Sequence, residues 1–319
     1  MGAGVPEGFA EVTLGLGEGR GHVSVLTRDE DARSDDWVDP NFFEPGYSVA
    51  GSTGFRVWEG TRVAADLLLP RSQRAYTYIL GEDGGGGAAG AGGGGHRLEE
   101  VLEGIRGSLE GKRVLELGSG TGLAALVLAR AAAAHVLATD LRAVVDDVLW
   151  VNVEREAEKS EVVGSSSEEV ESFSHRCFPG GVSIGSGSVS CYPLDWVTVE
   201  DGADWRGVTS LARPRLSLDP LGEKCDVVLG VECVWLAELV PSFVATVREA
   251  LRRGASGGHA VLIGRERATE ASRVFCSMGD VAKAFQDQGL QVHEIVKTKA
   301  RDQDPSGDGF VAIYTVRVP

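Results

Sequence analysis

A glycine-rich turn that follows an apolar segment constrains the fold of this chain more than any other feature. Residues 113–122 read Arg-Val-Leu-Glu-Leu-Gly-Ser-Gly-Thr-Gly, and a helix-like run, Leu123 to Ala134, follows them. The apolar residues before the turn are typical of a buried parallel strand. A strand, a glycine turn and a helix together form the opening unit of a nucleotide-binding α/β sheet. Without a Cβ, the glycines allow the backbone to approach a ligand closely.

The spacing of these glycines distinguishes between two kinds of ligand. They stand at 118, 120 and 122, whereas a dinucleotide fingerprint has its third glycine one residue later, where this chain has Leu123. An NAD-dependent dehydrogenase is therefore disfavoured. Glu116, just before the turn, suits a ligand with a cationic or hydroxylated group better than a pyrophosphate. S-adenosylmethionine (SAM) is such a ligand.

Segments with strand character alternate with helical segments over most of the chain. The predicted strands are Val114–Leu117, His135–Thr139, Val189–Leu194, Cys225–Gly230, Ala260–Ile263, Gln291–Val296 and Phe310–Val318. The first predicted helix lies within Phe55–Leu69 and has Thr61 as its expected cap. The other predicted helices are Leu98–Leu109, Leu123–Ala134, Val144–Glu156, Leu239–Leu251 and Ser277–Gln288. This order predicts an α/β fold with a doubly wound, mostly parallel seven-stranded sheet and a C-terminal antiparallel hairpin.

The composition divides the chain into an arm and one large domain. Residues 1–54 are rich in glycine and acidic residues and are expected to form an N-terminal acidic arm, in which Val23–Leu26 and Tyr47–Ala50 are short apolar pieces. Residues 55–319 are expected to form one domain with flexible insertions at about 82–96 and 159–188, where Gly, Ala and Ser dominate. Such segments cannot recover their ordering entropy by burying side chains.

Charge and residue usage exclude several classes of function. The net charge of −16 argues against binding to nucleic acid and suits a basic substrate segment, although it also fits a protein that is merely kept soluble. No apolar stretch approaches the ~20 residues of a membrane span, and no signal peptide is visible, so residence in the cytoplasm, or in the nucleus, is expected. The five cysteines are scattered without a C-x-x-C pair, so no metal site is predicted.

Polar residues follow the predicted strands at their carboxyl ends, where such sheets bind ligands. Asp140 lies about 20 residues after the turn, where an acid can accept hydrogen bonds from both ribose hydroxyls; the alternative is an N-cap of the next helix. Asp195 can accept from an adenine amino group while Trp196 packs on the ring. The alternative is that Trp196 is a core residue and Asp195 a turn residue.

These residues together resemble the Rossmann-like SAM-dependent methyltransferases, and more narrowly the protein-lysine methyltransferases that modify chaperones and translation factors. The resemblance runs from about Phe55 to Val318. Its pieces are Val57-Trp-Glu-Gly60, Val114-Leu-Glu-Leu-Gly-Ser-Gly-Thr-Gly122, Ala138-Thr-Asp-Leu141, Trp150-Val-Asn-Val153, Leu194-Asp-Trp196, Asp226-Val-Val-Leu-Gly-Val-Glu-Cys-Val-Trp235 and Arg265-Glu-Arg267.

The resemblance implies a role for each matching residue. The cofactor SAM would contact Trp58, Glu116, Gly118, Ser119, Gly120, Asp140, Asp195, Trp196 and Val231, with Asp140 at the ribose and Asp195 and Trp196 at the adenine. Glu232 and Trp235 match an acidic-x-x-aromatic motif next to the target nitrogen and would be catalytic. Trp235 is expected one helical turn beyond Glu232, so that the two side chains can face the same cavity. The family more often has Asp and Tyr or Phe there. Without the resemblance, Trp235 would be read as a core residue, and Glu232 also suits a cap of the helix that follows.

The expected activity is methyl transfer from SAM to a protein side chain, most readily a lysine. The expected partner is a protein substrate, such as a chaperone or a translation factor, with no nucleic acid or membrane involved, and the chain is expected to act as a monomer. Two alternatives remain open: a small-molecule N-methyltransferase, and a SAM-binding protein without activity. Methylation of a basic protein against a panel of amines and carboxylates separates the first alternative from the prediction.

Overall fold

The structure is a computed structural model that describes residues 4–17, 21–29, 53–68, 78–80, 94–132, 134–161, 177–197, 219–265, 274–299 and 310–319. Its strands are β1 (Phe9–Gly15), β2 (His22–Arg28), β3 (Tyr78–Leu80), β4 (Arg113–Leu117), β5 (His135–Asp140), β6 (Val182–Ile184), β7 (Gly187–Pro193), β8 (Val227–Val231), β9 (His259–Arg265), β10 (Gln291–Lys299) and β11 (Phe310–Arg317).

Its helices are α1 (Glu59–Leu68), α2 (Gly94–Leu109), α3 (Leu123–Ala132), α4 (Arg142–Val144), α5 (Trp150–Glu161), α6 (Val240–Arg253) and α7 (Met278–Asp287). A π-helical turn, Val145–Leu149, joins α4 to α5, and a 3₁₀ turn, Ala237–Leu239, precedes α6. Among the described residues, no helix has the length and apolar character that crossing a membrane requires.

In the described part of the chain, nine strands form the main sheet, in the order β3-β10-β11-β9-β8-β4-β5-β7-β6. The five central strands from β9 to β7 run parallel. β11 pairs antiparallel with β9 and with β10, which gives the C-terminal hairpin. The predicted α/β fold with its mostly parallel seven-stranded sheet is confirmed, and the short strands β3 and β6 extend it at the two edges.

Alternate residues of the central strands serve two cores, because neighbouring side chains of a strand point to opposite faces. Val114 and Val136 pack on one face with helices α1, α2 and α3, whereas Leu115 and Leu137 pack on the other face with α6 and α7. Among the described residues, helices thus cover both faces of the sheet, which leaves the strand ends open to a ligand.

Residues at both ends of the expected insertion at 159–188 belong to regular elements of the structure. Helix α5 extends to Glu161, and the described chain resumes at Cys177. Phe178 and Ile184 are almost fully buried, and β6 pairs with β7 across a tight turn. Phe178 and Ile184 were expected to lie in a flexible insertion because Ser and Gly dominate the sequence around them. Most of the other insertion, at 82–96, lies outside the described residues, although α2 already begins at Gly94.

The N-terminal hairpin of β1 and β2 packs into the domain core. Val23 and Val25 are almost fully buried in the cluster that contains α3. Asn152 of α5 accepts a hydrogen bond from Leu26 N at 2.7 Å and donates one to Leu26 O at 3.1 Å. The partner of the apolar piece Val23–Leu26 is therefore β1, while residues 47–50 lie outside the described residues.

Candidate active site

A cavity of about 350 Å³ opens at the carboxyl ends of β4, β5, β7 and β8. Its lining includes every residue for which the sequence predicted a cofactor or catalytic role: Trp58, Glu116, Gly118, Ser119, Gly120, Asp140, Asp195, Trp196, Val231, Glu232 and Trp235. The structure thus brings together residues that are far apart in the chain. What each one does there stays a prediction.

The glycine turn after β4 is packed from two sides. Gly118 has a φ of +68° and Gly120 a φ of +54°, in the left-handed region that favours glycine. A Cβ at Gly118 would lie 2.5 Å from the Cβ of Cys233, and one at Gly120 would lie 3.0 Å from the carbonyl oxygen of Gly54. The two glycines therefore allow the turn to approach the segments after β8 and before α1.

Glu116 places a buried carboxyl group at the bottom of the cavity. The residue is 1% exposed, and within the described part of the chain its Oε2 atom has no hydrogen-bond partner. Burial raises the pKa of Glu116 to about 8, and the nearby Asp140 carboxylate adds to this rise, while a hydrogen bond from Ser119 opposes it. The site therefore holds either a proton or a cationic donor next to this oxygen.

Asp140 supports the glycine turn. Its Oδ2 accepts a hydrogen bond from Gly120 N at 2.7 Å, and its Oδ1 accepts one from Leu141 N at 2.7 Å. Burial raises the pKa of Asp140 to about 6, against the lowering effect of these two hydrogen bonds. The alternative role as an N-cap is excluded, because Leu141 occupies the N-cap position of α4 and no side chain caps that helix.

At Asp195 and Trp196 the two interpretations of the sequence are compatible. Asp195 accepts a hydrogen bond from Val197 N at 3.0 Å, which makes it a turn residue, and it also lines the cavity. Trp196 packs edge-on against Phe243 of the core, with ring centroids 5.1 Å apart, and it also lines the cavity. One side chain can thus serve both packing and ligand contact.

The segment before α1, residues 53–58, forms part of the cavity wall. Trp58 Nε1 donates a hydrogen bond to Thr53 O at 3.2 Å, and the Arg56 guanidinium lies 5.7 Å from the Trp58 ring centroid. Arg28 N of β2 holds this segment by donating to Phe55 O at 2.9 Å. Of these residues only Trp58 was predicted, since Thr53 and Arg56 belong to no motif.

Two predictions about this region are wrong. Thr61 does not cap a helix, because α1 already begins at Glu59, and Thr61 lines the cavity instead. Glu232 and Trp235 were expected one helical turn apart, but the chain between them is not helical and Glu232 has a φ of +53°. Helical geometry begins only at the 3₁₀ turn that starts at Ala237.

The Glu232 carboxylate caps a helix distant in sequence. It is buried, and its Oε1 accepts a hydrogen bond from Gly60 N at 3.1 Å, at the N-terminus of α1. An acid is favourable there because of the helix dipole and the unpaired N–H groups. The capping alternative thus holds for α1 rather than for the helix that follows Glu232. Since Glu232 also lines the cavity, capping leaves a role toward a substrate open.

Trp235 is half-buried and lines the cavity, so its interpretation as a plain core residue is wrong. Its ring stacks on that of Phe275, with centroids 5.8 Å apart and an interplanar angle of 29°. Cys233 also lines the cavity, and burial raises its thiol pKa well above the usual range, which leaves it without a nucleophilic thiolate. Over the described residues, no group of three or more His, Cys, Asp or Glu side chains is placed to hold a metal ion.

A family model described as lysine methyltransferase matches residues 48–170. This segment contains Trp58, the glycine turn and Asp140, whereas Glu232 and Trp235 lie beyond it. No curated protein matches the chain in sequence.

Several solved structures match part of this chain at low identity. TrmN from Thermus thermophilus is 14% identical over 70% of this chain and 48% of its own, with a TM-score of 0.38. A methyltransferase from Pyrococcus furiosus is 15% identical over 66% of this chain and 77% of its own, with a TM-score of 0.37. Aeropyrum pernix fibrillarin, solved with natively bound S-adenosyl-L-methionine, is 17% identical over 65% of this chain and 66% of its own, with a TM-score of 0.35.

Over residues 48–170 the chain is thus similar to the lysine methyltransferase family, and this similarity supports a SAM-dependent methyltransferase with S-adenosylmethionine as its cofactor.

Proposed function

We propose that this protein transfers a methyl group from SAM to the side-chain amine of a lysine in a protein substrate. The observation that carries the proposal is the cavity at the carboxyl ends of the parallel strands, which joins the glycine turn and Glu116 to the Glu232–Trp235 segment. The description of the matching family, lysine methyltransferase, supports the choice of substrate.

The residues of the cavity suit SAM at three places. Glu116 Oε2 is buried without a hydrogen-bond partner among the described residues, and the α-ammonium group of SAM is a cationic donor for such an atom. Asp140 lies beside the turn, where its carboxylate can accept from ribose hydroxyls. Asp195 and Trp196 offer an acceptor and an aromatic face to adenine. SAM, when bound, supplies a methyl group that its sulfonium already activates.

The acceptor side of the cavity suits an amine. The carboxylate of Glu232 and the ring face of Trp235 both attract a cation, so they can receive a lysine ammonium and orient it. The amine must lose a proton before it reacts, and water at the open end of the cavity can accept that proton. Placement of the neutral amine in line with the methyl group then supplies much of the rate.

Incubation with labelled SAM tests this function. The substrates are a host-cell lysate, a purified basic protein, and a panel of small amines and carboxylates, with Asp140→Ala as a control that is expected to lose SAM. We expect label on protein lysine. Label on the small molecules alone would favour a small-molecule methyltransferase, and SAM binding without any transfer would favour a binding protein. We expect the active form to be a monomer.

A further inference from the structure

An exposed aromatic side chain, that of Phe275, packs against a residue of the cavity wall. Within the described ranges the exposed large hydrophobic residues are Val5, Val197, Val274, Phe275 and Val318. Val197 lines the cavity. Phe275 stacks on Trp235 and is 42% exposed, and Val274, which precedes Phe275 in the chain, is 59% exposed. An exposed phenylalanine in contact with the wall of a proposed active site is placed where a bound substrate can cover it.

The backbone fixes the segment that contains Val274 and Phe275 to the cavity wall. Cys276 N donates to Trp235 O at 3.0 Å, and Ala237 N donates to Val274 O at 2.9 Å. The Trp235 ring, which lines the cavity, stacks on the Phe275 ring at 5.8 Å between centroids. Trp235, Val274 and Phe275 are here called the apolar shelf, in which the stacked rings of Trp235 and Phe275 extend outward from the cavity wall.

We propose that the apolar shelf binds an apolar or aromatic side chain of the substrate protein that stands two residues from the target lysine. This inference rests on the proposed function. In an extended peptide, side chains two residues apart lie on the same face at about 6.7 Å, close to the 5.8 Å between the Trp235 and Phe275 rings. A lysine that passes Trp235 into the cavity thus places such a neighbour over Phe275.

The surroundings of the shelf suit a peptide rather than a small molecule. A small amine would fill the cavity and leave Val274 and Phe275 exposed. The net charge of −16 and the exposed Glu238, on the 3₁₀ turn next to Trp235, favour a basic segment around the lysine. The shelf then selects among lysines by the apolar neighbour.

Three variants test the shelf: Phe275→Ala, Phe275→Leu and the control Val318→Ala, a matched exposed residue beyond the end of β11. The lysine that the wild type labels in a lysate is located by mass spectrometry, and a synthetic peptide of that site is made together with its serine variant at the apolar neighbour. For Phe275→Ala we expect KM for the peptide to rise about tenfold. The Kd for SAM should stay within about twofold, since the apolar shelf is expected to contact the substrate and not the cofactor. Phe275→Leu should be intermediate and Val318→Ala unchanged.

The serine peptide should raise KM for the wild type by a similar factor and add little in Phe275→Ala, because the two changes remove the same contact. An unchanged KM, or a labelled lysine without an apolar residue two positions away on either side, would overturn the proposal. A parallel loss of SAM affinity would assign Phe275 to support of the cavity instead, and would overturn it too. If the wild type binds SAM but labels no protein, the proposed function fails and this inference fails with it.

Discussion

At the residue scale, burial makes the charged form of Glu116 unfavourable in the folded protein, and a cationic ligand can offset this. Its folded pKa of about 8 lies above the ordinary value of 4.5 because the carboxylate is buried. Between pH 4.5 and about pH 8, the native state therefore holds a proton on Glu116 that the unfolded chain has released. The stability that this proton gives is present in full below pH 4.5 and is lost as the pH rises through about 8.

Glu116→Gln is expected to raise the melting temperature at pH 8 and to change it little at pH 5, because the amide needs no proton to stay neutral. The gain at pH 8 is of the order of 2 kcal/mol. The same variant should bind SAM at least about tenfold more weakly, since a charge-assisted hydrogen bond is lost. Thermal unfolding at both pH values and titration calorimetry measure these effects, with the exposed Glu110→Gln as control. An equal shift at pH 5 and pH 8 would contradict the assignment.

The affinity for SAM is expected to rise between pH 6 and pH 7.5, by at most about tenfold per unit. A bound ammonium favours the carboxylate form of Glu116, whose pKa without ligand is about 8, so binding releases a proton over this range. Calorimetry in two buffers with different ionisation enthalpies detects that proton. Glu116→Gln should release none, and proton release that persists in this variant would point to another group.

Glu232→Ala and Glu232→Gln are expected to separate capping from catalysis. The alanine variant leaves Gly60 N without its acceptor at the start of α1, which costs about 1 kcal/mol and weakens SAM binding beside Trp58. The glutamine variant keeps an acceptor oxygen but loses the charge, so it should retain SAM affinity and lose turnover. Melting curves, SAM affinity and transfer to a lysate measure the three quantities. Full turnover by Glu232→Gln would leave Glu232 as a cap only.

At the element scale, the turn between β4 and α3 is closed by parts of two other elements. The segment after β8 contacts Gly118, and the segment before α1 contacts Gly120. The site therefore depends on how these strand ends meet, and a side chain at the turn would push them apart.

Gly118→Ala is expected to abolish SAM binding and to destabilise the fold by about 2 kcal/mol or more, because of its positive φ and the contact with Cys233. The matched control is Gly104→Ala in α2, where an added Cβ meets no heavy atom within 4 Å. That control should be neutral or stabilising by up to about 1 kcal/mol. Chemical denaturation and SAM titration compare the two, and a Gly118→Ala variant that binds SAM normally would show that the turn adapts.

At the scale of the whole molecule, the N-terminal hairpin belongs to the folded domain. Val23 and Val25 lie in its core. Asn152 accepts a hydrogen bond from Leu26 N of β2 and donates one to Thr121 O of the glycine turn at 2.9 Å. The N-terminal hairpin therefore packs into the domain core and is linked through Asn152 to the glycine turn of the site.

Removal of residues 1–28 is expected to lower the melting temperature by more than 10 °C, because two buried valines alone account for about 3 kcal/mol or more. Deletion of residues 84–93, which lie outside the described residues, is expected to be nearly neutral, since Gly and Ala bury little and loop closure depends weakly on length. Calorimetric melting of both variants makes the comparison. A truncated chain that melts like the wild type would restore the view of residues 1–54 as a separate arm.

By itself the sequence determined the features that short-range chemistry controls. Apolar runs predicted the central strands, and the glycine pattern predicted the turn after β4. The helix predicted over Ser277–Gln288 is α7, and the structure shows Ser277 as the N-cap of a capping box with Asp280. Strand order then brought the predicted site residues to one cavity, because parallel strands with helical connections end at the same edge of the sheet.

Only the tertiary structure decided the contacts between segments far apart in the chain. The cap that Glu232 gives to Gly60 spans 172 residues, and the sequence pointed instead to a helix next to Glu232. Likewise, no local pattern marks Arg56 or Phe275 as neighbours of the cavity, since each is placed by packing against a partner that its own segment does not specify. Periodicity reports which side of an element is buried, but the identity of the surface that buries it depends on the whole fold.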